Sequence, residues 1–139
     1  MSTHLEEKKE RIEQILERLA EESANGTPII VEGKKDTETL ATFGIKGKII
    51  TAKTGGQSFL DIVSKIERNG IREVILLLDF DRRGRQGTAR LKGHFEKARI
   101  KPNTRFWADL SALVGRQVKD VEGLVSYMET LKSKLSCNS

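Results

Sequence analysis

The sequence predicts an α/β domain, a mostly parallel sheet of about four strands with helices on both faces and an added N-terminal helix. Three features predict it. Val74-Ile75-Leu76-Leu77-Leu78 is an unbroken apolar run of strand length, the pattern of a central parallel strand covered on both sides. From Gly26 onward, short apolar runs alternate with segments of helical period, which marks strand–helix crossovers. At 139 residues the chain is long enough for one buried core and too short for two ordinary domains.

Taken in order, Leu5, Ile12, Ile15, Leu16 and Leu19 fall on one face of a first helix. Thr3 and Glu6 have capping-box spacing at its start, and Asn25-Gly26 suits its end. This helix (residues 1–26) reads as a packing element against the domain of residues 27–135 or against another copy. Pro28 to Val31 is a first strand, with the proline tolerated at its opening position. Asp36 to Phe43 reads as a short helix and Lys48 to Ala52 as a second strand. Phe59, Ile62, Val63 and Ile66 carry the next helical period, which Asn69-Gly70 stops. After the central strand, a basic helix is expected from about Gln86 to Lys97. A turn at Lys101-Pro102-Asn103 and a strand from Thr104 to Trp107 come next. Asp109 to Gly115 suits a short helix, and Val121, Leu124, Val125, Met128, Leu131 and Leu135 suit a closing one.

The composition is that of a soluble globular protein: 32% charged and 37% hydrophobic residues, with no apolar run of membrane-spanning length. A charged start, without the apolar stretch of a signal peptide, points to the cytoplasm. The lone Cys137 allows no intrachain disulfide and excludes a multi-cysteine zinc site. Net charge is +5, but unevenly spread. Nine Arg or Lys stand between Arg82 and Arg105 against one acid, Glu96, so that stretch carries +8 and the remainder −3. A local excess of this kind favours a polyanionic partner, although solvated basic faces are also common.

Ligands of such sheets bind beyond the carboxyl ends of the strands. That rule directs attention to the residues after Val31, Ala52, Leu78 and Trp107. Glu32 follows the first strand, in Glu32-Gly33-Lys34-Lys35-Asp36. Asp79-Phe80-Asp81 follows the central one. In an extended chain the two aspartates point the same way, about 6–7 Å apart, with Phe80 turned toward the core. Hard carboxylate oxygens at that separation suit Mg²⁺, which keeps several waters and takes substrate phosphates. If the first and third strands are neighbours, Glu32 joins them. Lys34, Arg82, Arg83 and Arg85 relieve the repulsion among the acids and attract phosphate. An isolated acid after a strand is most often a helix cap, and Asp36 reads that way. What distinguishes Glu32 and Asp79 is that each follows an apolar strand and is followed by glycine and basic residues.

Together, Glu32-Gly33-Lys34-Lys35-Asp36 and Asp79-Phe80-Asp81-Arg82-Arg83-Gly84, their leading acids 47 residues apart, resemble the two signature motifs of the Toprim family. That family includes primases, topoisomerases, recombination and repair nucleases, and the ribonuclease that matures 5S ribosomal RNA. The chain is most similar in design to its small stand-alone archaeal members. The resemblance spans about residues 27–125 and implies a compact Rossmann-like sheet. It implies Mg²⁺ held by Asp79 and Asp81, with Glu32 as a general acid or base that also ligates metal. Gly33 and Gly84 match the family's glycines, and Thr54-Gly55-Gly56 falls where the family has a small-residue loop near the metal. Asp120 and Glu122 are candidates for a further acid, with a cap for the closing helix as the preferred reading. No strand-passage, zinc-binding or helicase-interaction region accompanies these motifs, so a protein partner is a candidate source of substrate choice.

Rival motifs fit less well. A P-loop fails because Pro28 stands where its first glycine belongs and Lys35 where its hydroxyl residue belongs. A haloacid-dehalogenase-like phosphatase resembles D-x-D-x-T near the chain start, whereas here the motif is central and Arg83 holds the threonine position. A receiver domain lacks Arg-Arg-Gly-Arg after its acid. His4 and His94 have no metal-ligand spacing, and Phe106-Trp107 reads as a strand-end pair with one ring in the core. The expected function is Mg²⁺-dependent phosphoryl transfer on nucleic acid, first of all a nuclease on structured RNA or DNA. A non-catalytic nucleic-acid or ribonucleoprotein binding module and a primase-like nucleotidyl transferase stay open as alternatives.

Overall fold

Four strands, β1 (Ile29–Val31), β2 (Ile49–Thr51), β3 (Glu73–Leu77) and β4 (Lys101–Asn103), form one all-parallel sheet in the order β2-β1-β3-β4. They are seen in a computed structural model that describes residues 3–53 and 58–137. The helices are α1 (Thr3–Ala24), α2 (Lys34–Thr42), α3 (Phe59–Arg68), α4 (Arg82–Lys97), α5 (Arg105–Val114) and α6 (Gly123–Cys137). Gly55, with Thr54 and Gly56, lies outside the described residues, as does the side chain of Thr3.

Strand alternation divides the core between the two faces of the sheet. Ile29, Val31, Ile75 and Leu77 point to one side, where they pack with Ile12, Leu16 and Leu19 of α1, Leu40 of α2, Leu110 of α5 and Leu124 of α6. Ile30, Val74, Leu76 and Leu78 point to the other, against Ile62 and Ile66 of α3 and Leu91 and Phe95 of α4. Burying each such side chain is worth about 1.5–3 kcal/mol against leaving it exposed. The N-terminal helix thus contributes to the same core as the sheet.

Two expectations about the region after α4 are overturned. Lys101-Pro102-Asn103 is the fourth strand, not a turn, and Thr104 to Trp107 opens a helix, not a strand. Pro102 fits because β4 is an edge: Lys101 N–H donates to Arg72 O of the neighbouring segment at 2.8 Å, so the next residue's missing N–H faces outward. Phe106, Leu110 and Val114 share the spacing of a helical face, and they pack into the α1 layer together with Trp107. The helix expected over Asp109–Gly115 is the later part of α5, closed by Gly115 at φ 57°.

Helix α4 begins at Arg82, four residues before the expected Gln86, because Asp81 caps it: its carboxylate accepts Gly84 N–H at 2.8 Å. Asp79, Phe80 and Asp81 therefore lie beyond the end of β3, and the alternation argument for two parallel aspartates does not apply. Gly84 is required by contact. A Cβ there would stand 1.9 Å from the carbonyl oxygen of Asp79. Gly33 is under no such demand, with φ −144° and open space where a Cβ would go.

These contacts set opposite expectations for two glycines of α4. Gly84→Ala should destabilise the protein by more than about 2 kcal/mol, because the conflict is with backbone and not with a flexible side chain. At Gly93 an added Cβ meets nothing, so Gly93→Ala should stabilise by about 0.5–1 kcal/mol. Urea unfolding of the two variants checks both signs.

Candidate metal and phosphate site

Parallel pairing of β1 with β3 aligns Val31 with Leu77, so the residues that follow them emerge at one edge of the sheet. There the backbone N–H of Asp79 points at Glu32 Oε2, 3.5 Å away. Pairing of β1 with β2 brings a third strand end alongside. Lys53 N–H donates to Glu32 O at 3.1 Å, and Lys53 Nζ lies 3.6 Å from Glu32 Oε1. A pocket of about 260 Å³ opens here, bordered by Glu32, Asp36, Asp79, Asp120 and Glu122 and by Lys34, Lys35 and Lys53.

The Asp79 segment is tethered on several sides. Its carbonyl accepts the Trp107 indole N–H at 3.1 Å, Phe80 N–H donates to Lys119 O, and the start of α4 presses on it through Gly84. Asp36 performs the equivalent task for the other motif. Its two carboxylate oxygens accept Gly33 N–H at 3.0 Å and Glu122 N–H at 3.1 Å, joining the β1–α2 turn to the start of α6. It is buried, and that burial raises its pKa despite the two backbone bonds that lower it.

Asp79 is held at a pKa of about 7, first by burial and then by the negative charges of Glu32, Asp36, Asp120 and Asp81. The cluster repels its own ionised form. Lys53 offsets only part of this, since its side chain is 59% exposed. Among the described residues no three acidic, histidine or cysteine side chains converge tightly enough to cage a cation by themselves. The acids instead border an open pocket.

Of the residues singled out in the sequence, Glu32, Gly33, Lys34 and Asp79 border this pocket. Asp81 does not, and one of its oxygens is occupied by the α4 cap. Arg82, Arg83 and Arg85 are exposed on the first turn of α4 and outside the pocket lining. Asp120 does both things expected of it as alternatives: it accepts Gly123 N–H at 2.8 Å at the start of α6, and it borders the pocket. Lys53, the residue immediately after Ala52 at a strand end, joins the pocket without any motif in the sequence to mark it. Asp36 is more than the cap its sequence position suggests, and its bond to Glu122 crosses 86 residues of chain.

An all-parallel sheet with acids gathered at its carboxyl edge, and with a cationic first helical turn beside them, defines an α/β domain of the Rossmann-like type. The sequence signature of the Toprim domain matches residues 26–104, and the chain belongs to the Toprim family. It is 39% identical to a UPF0292 protein of Methanosarcina barkeri over 90% of this chain and 85% of that one. A UPF0292 protein of Methanocaldococcus jannaschii is 38% identical over 86% of this chain and 91% of the relative. Among solved structures, a putative protein from Aquifex aeolicus superposes with a TM-score of 0.67 at 25% identity, covering 78% of this chain and 94% of that one. Toprim membership carries a metal-dependent role connected with nucleic acid. Among the described residues no helix is long and apolar enough to cross a membrane.

The raised pKa of Asp79 has a signed consequence for the metal-free protein. Between pH 3.8 and about 7 the folded protein keeps a proton that the unfolded chain has lost, so stability falls as pH rises through that window and stays lower above it. Asp79→Asn should therefore stabilise the metal-free protein at pH ~8, by about 1–2 kcal/mol once solvent screening of a half-exposed site is allowed for. The gain should vanish near pH ~3.5. Urea unfolding at both pH values decides, and an equal effect at the two would refute the raised pKa.

Proposed function

We propose that the chain is a Mg²⁺-dependent phosphoryl-transfer enzyme of nucleic acid, a nuclease acting on structured RNA or DNA. The observation that carries this reading is the meeting, at one sheet edge, of mutually repelling carboxylates with a helix whose first turn, beyond its Asp81 cap, bears only cations. The first turn of α4 contains Arg82, Arg83 and Arg85 and no acid. The partial positive charge of a helix N-terminus disfavours three such residues, and the single carboxylate of the Asp81 cap offsets only part of that, so a further anion would be stabilised there.

The donor set fits Mg²⁺. Glu32, Asp79 and Asp120 offer hard oxygens around an open pocket, and the charge that raises the pKa of Asp79 is what a divalent cation would neutralise. Glu32 and Asp79 would hold it, with the free oxygen of Asp81 adding to the set from the α4 cap. Once bound, Mg²⁺ supplies Lewis-acid polarisation of a phosphate oxygen. Glu32 holds or moves a proton at its carboxylate, as general acid or base toward water or the leaving oxygen. Lys34 at the pocket, with Arg82, Arg83 and Arg85 on the exposed turn, orients the phosphate backbone. Trp107, Lys119 and Gly84 keep the Asp79 backbone in place. The rest of α4 extends the track away from the site: the helix as a whole carries a net +5, while α1 on the opposite face carries −3.

Purified protein with Mg²⁺ should cleave a mixed set of structured RNA and DNA substrates. Glu32→Gln and Asp79→Asn should each slow cleavage by at least about a hundredfold. Neutralising Arg82 and Arg85 together should reduce the slope of log affinity against log salt by about two. Cleavage that survives both acid substitutions removes this mechanism. Salt-sensitive binding with no product would leave the non-catalytic binding module in its place.

A further inference from the structure

The edge strand β2 and helix α3 enclose a second cleft, of about 590 Å³, away from the acid cluster. Its floor is aliphatic, made by Ile50 of β2 with Ile62 and Ile66 of α3, and contains no aromatic ring among the described residues. Its charged rim is Lys48, Lys65 and Arg68, all exposed and none within salt-bridge distance of a carboxylate among the described residues. No acid lines it among those residues.

The hydrogen-bonding pattern of β2 shows what its outer edge offers. Ile29 N–H donates to Lys48 O at 3.0 Å, and Ala52 N–H donates to Val31 O at 2.8 Å. Backbone groups alternate in direction along a strand, so those of residues 48, 50 and 52 face β1 and those of Ile49 face out of the sheet. An extended chain laid along this edge would exchange two main-chain bonds with Ile49 and place alternate side chains over the isoleucine floor.

We propose that this edge is a docking site for an extended, acidic peptide segment of a partner protein, its aliphatic side chains on Ile50, Ile62 and Ile66 and its carboxylates on Lys48, Lys65 and Arg68. Charge decides the occupant. A second copy pairing edge to edge would set these cations against their own counterparts, the device by which sheet edges avoid self-association. Single-stranded nucleic acid would satisfy the cations, but it gains its sequence-tolerant affinity from stacking on rings, and the cleft has none. A partner bound here would lie beside β2, whose far end carries Lys53 into the acid pocket, and so could present substrate to that pocket. The docking site itself does not depend on the chemistry proposed for that pocket.

The test is a titration of the isotope-labelled full chain, followed through its backbone amide signals. The probes are an end-capped peptide of alternating glutamate and valine, its lysine–valine counterpart, and oligothymidylate. The acidic peptide should shift the amides of Lys48–Ile50 and Lys65–Asn69 and weaken several-fold as salt rises. Lys65→Glu with Arg68→Glu, exposed changes that leave the floor intact, should weaken it about tenfold, while the unfolding midpoint drops only slightly through the loss of two cations from the last turn of α3, and the protein stays fully folded at the titration temperature. N-methylation of the peptide backbone on the pairing side should weaken it as well. Equal binding of the lysine peptide, shifts centred elsewhere, or no shift at millimolar peptide would overturn the proposal. Oligothymidylate moving these amides while the acidic peptide does not would make the cleft a nucleic-acid track instead.

Discussion

Parallel pairing of β1 with β3 is the interaction on which the site depends. Once Val31 lies opposite Leu77, the next side chains have nowhere to emerge except one sheet edge, and Glu32 and Asp79 become neighbours. The apolar runs secure that register, because a one-residue slip would turn Ile30 and Leu76 toward the wrong layer. Hydrophobic burial on two faces thus supplies the energy that holds two like charges together.

The charge gathered in this way is managed by geometry as well as by counterions. Asp36 is buried but gives both its oxygens to backbone N–H groups, so it acts as a clamp between α2 and α6. Asp81 gives one oxygen to the α4 cap, which turns the arginines that follow it into the exposed first turn of a helix. Asp79 has no such relief and keeps the raised pKa. The acids differ in how far the fold has already satisfied them, and Asp79 is the least satisfied.

The same logic explains which parts of the fold were legible beforehand. Periodicity located α1, α3 and α6 and the apolar strands, because their signals are local and repeat over several residues. It failed at 101–107. Pro102 and Asn103 carry turn chemistry, and only the edge position of β4, with its outward side unpaired, lets proline sit in a strand. Phe106 and Trp107 look like strand residues until Leu110 and Val114 are counted with them as one helical face. The start of α4 is hidden in the sequence because three closely spaced arginines resemble a loop, and only the Asp81 cap makes them a first helical turn.

By itself the sequence determined the alternation of strands and helices, the apolar faces and the two acid motifs, since each is written in contiguous residues. It also carried the family resemblance, which lies in those motifs. Strand order, the meeting of Glu32 with Asp79, the addition of Lys53 and Asp120 to the pocket, and the division of the molecule into a cationic α4 side and an acidic α1 side were decided only in three dimensions. These depend on contacts between segments tens of residues apart, and a chain read in order carries no signal for the distance between them.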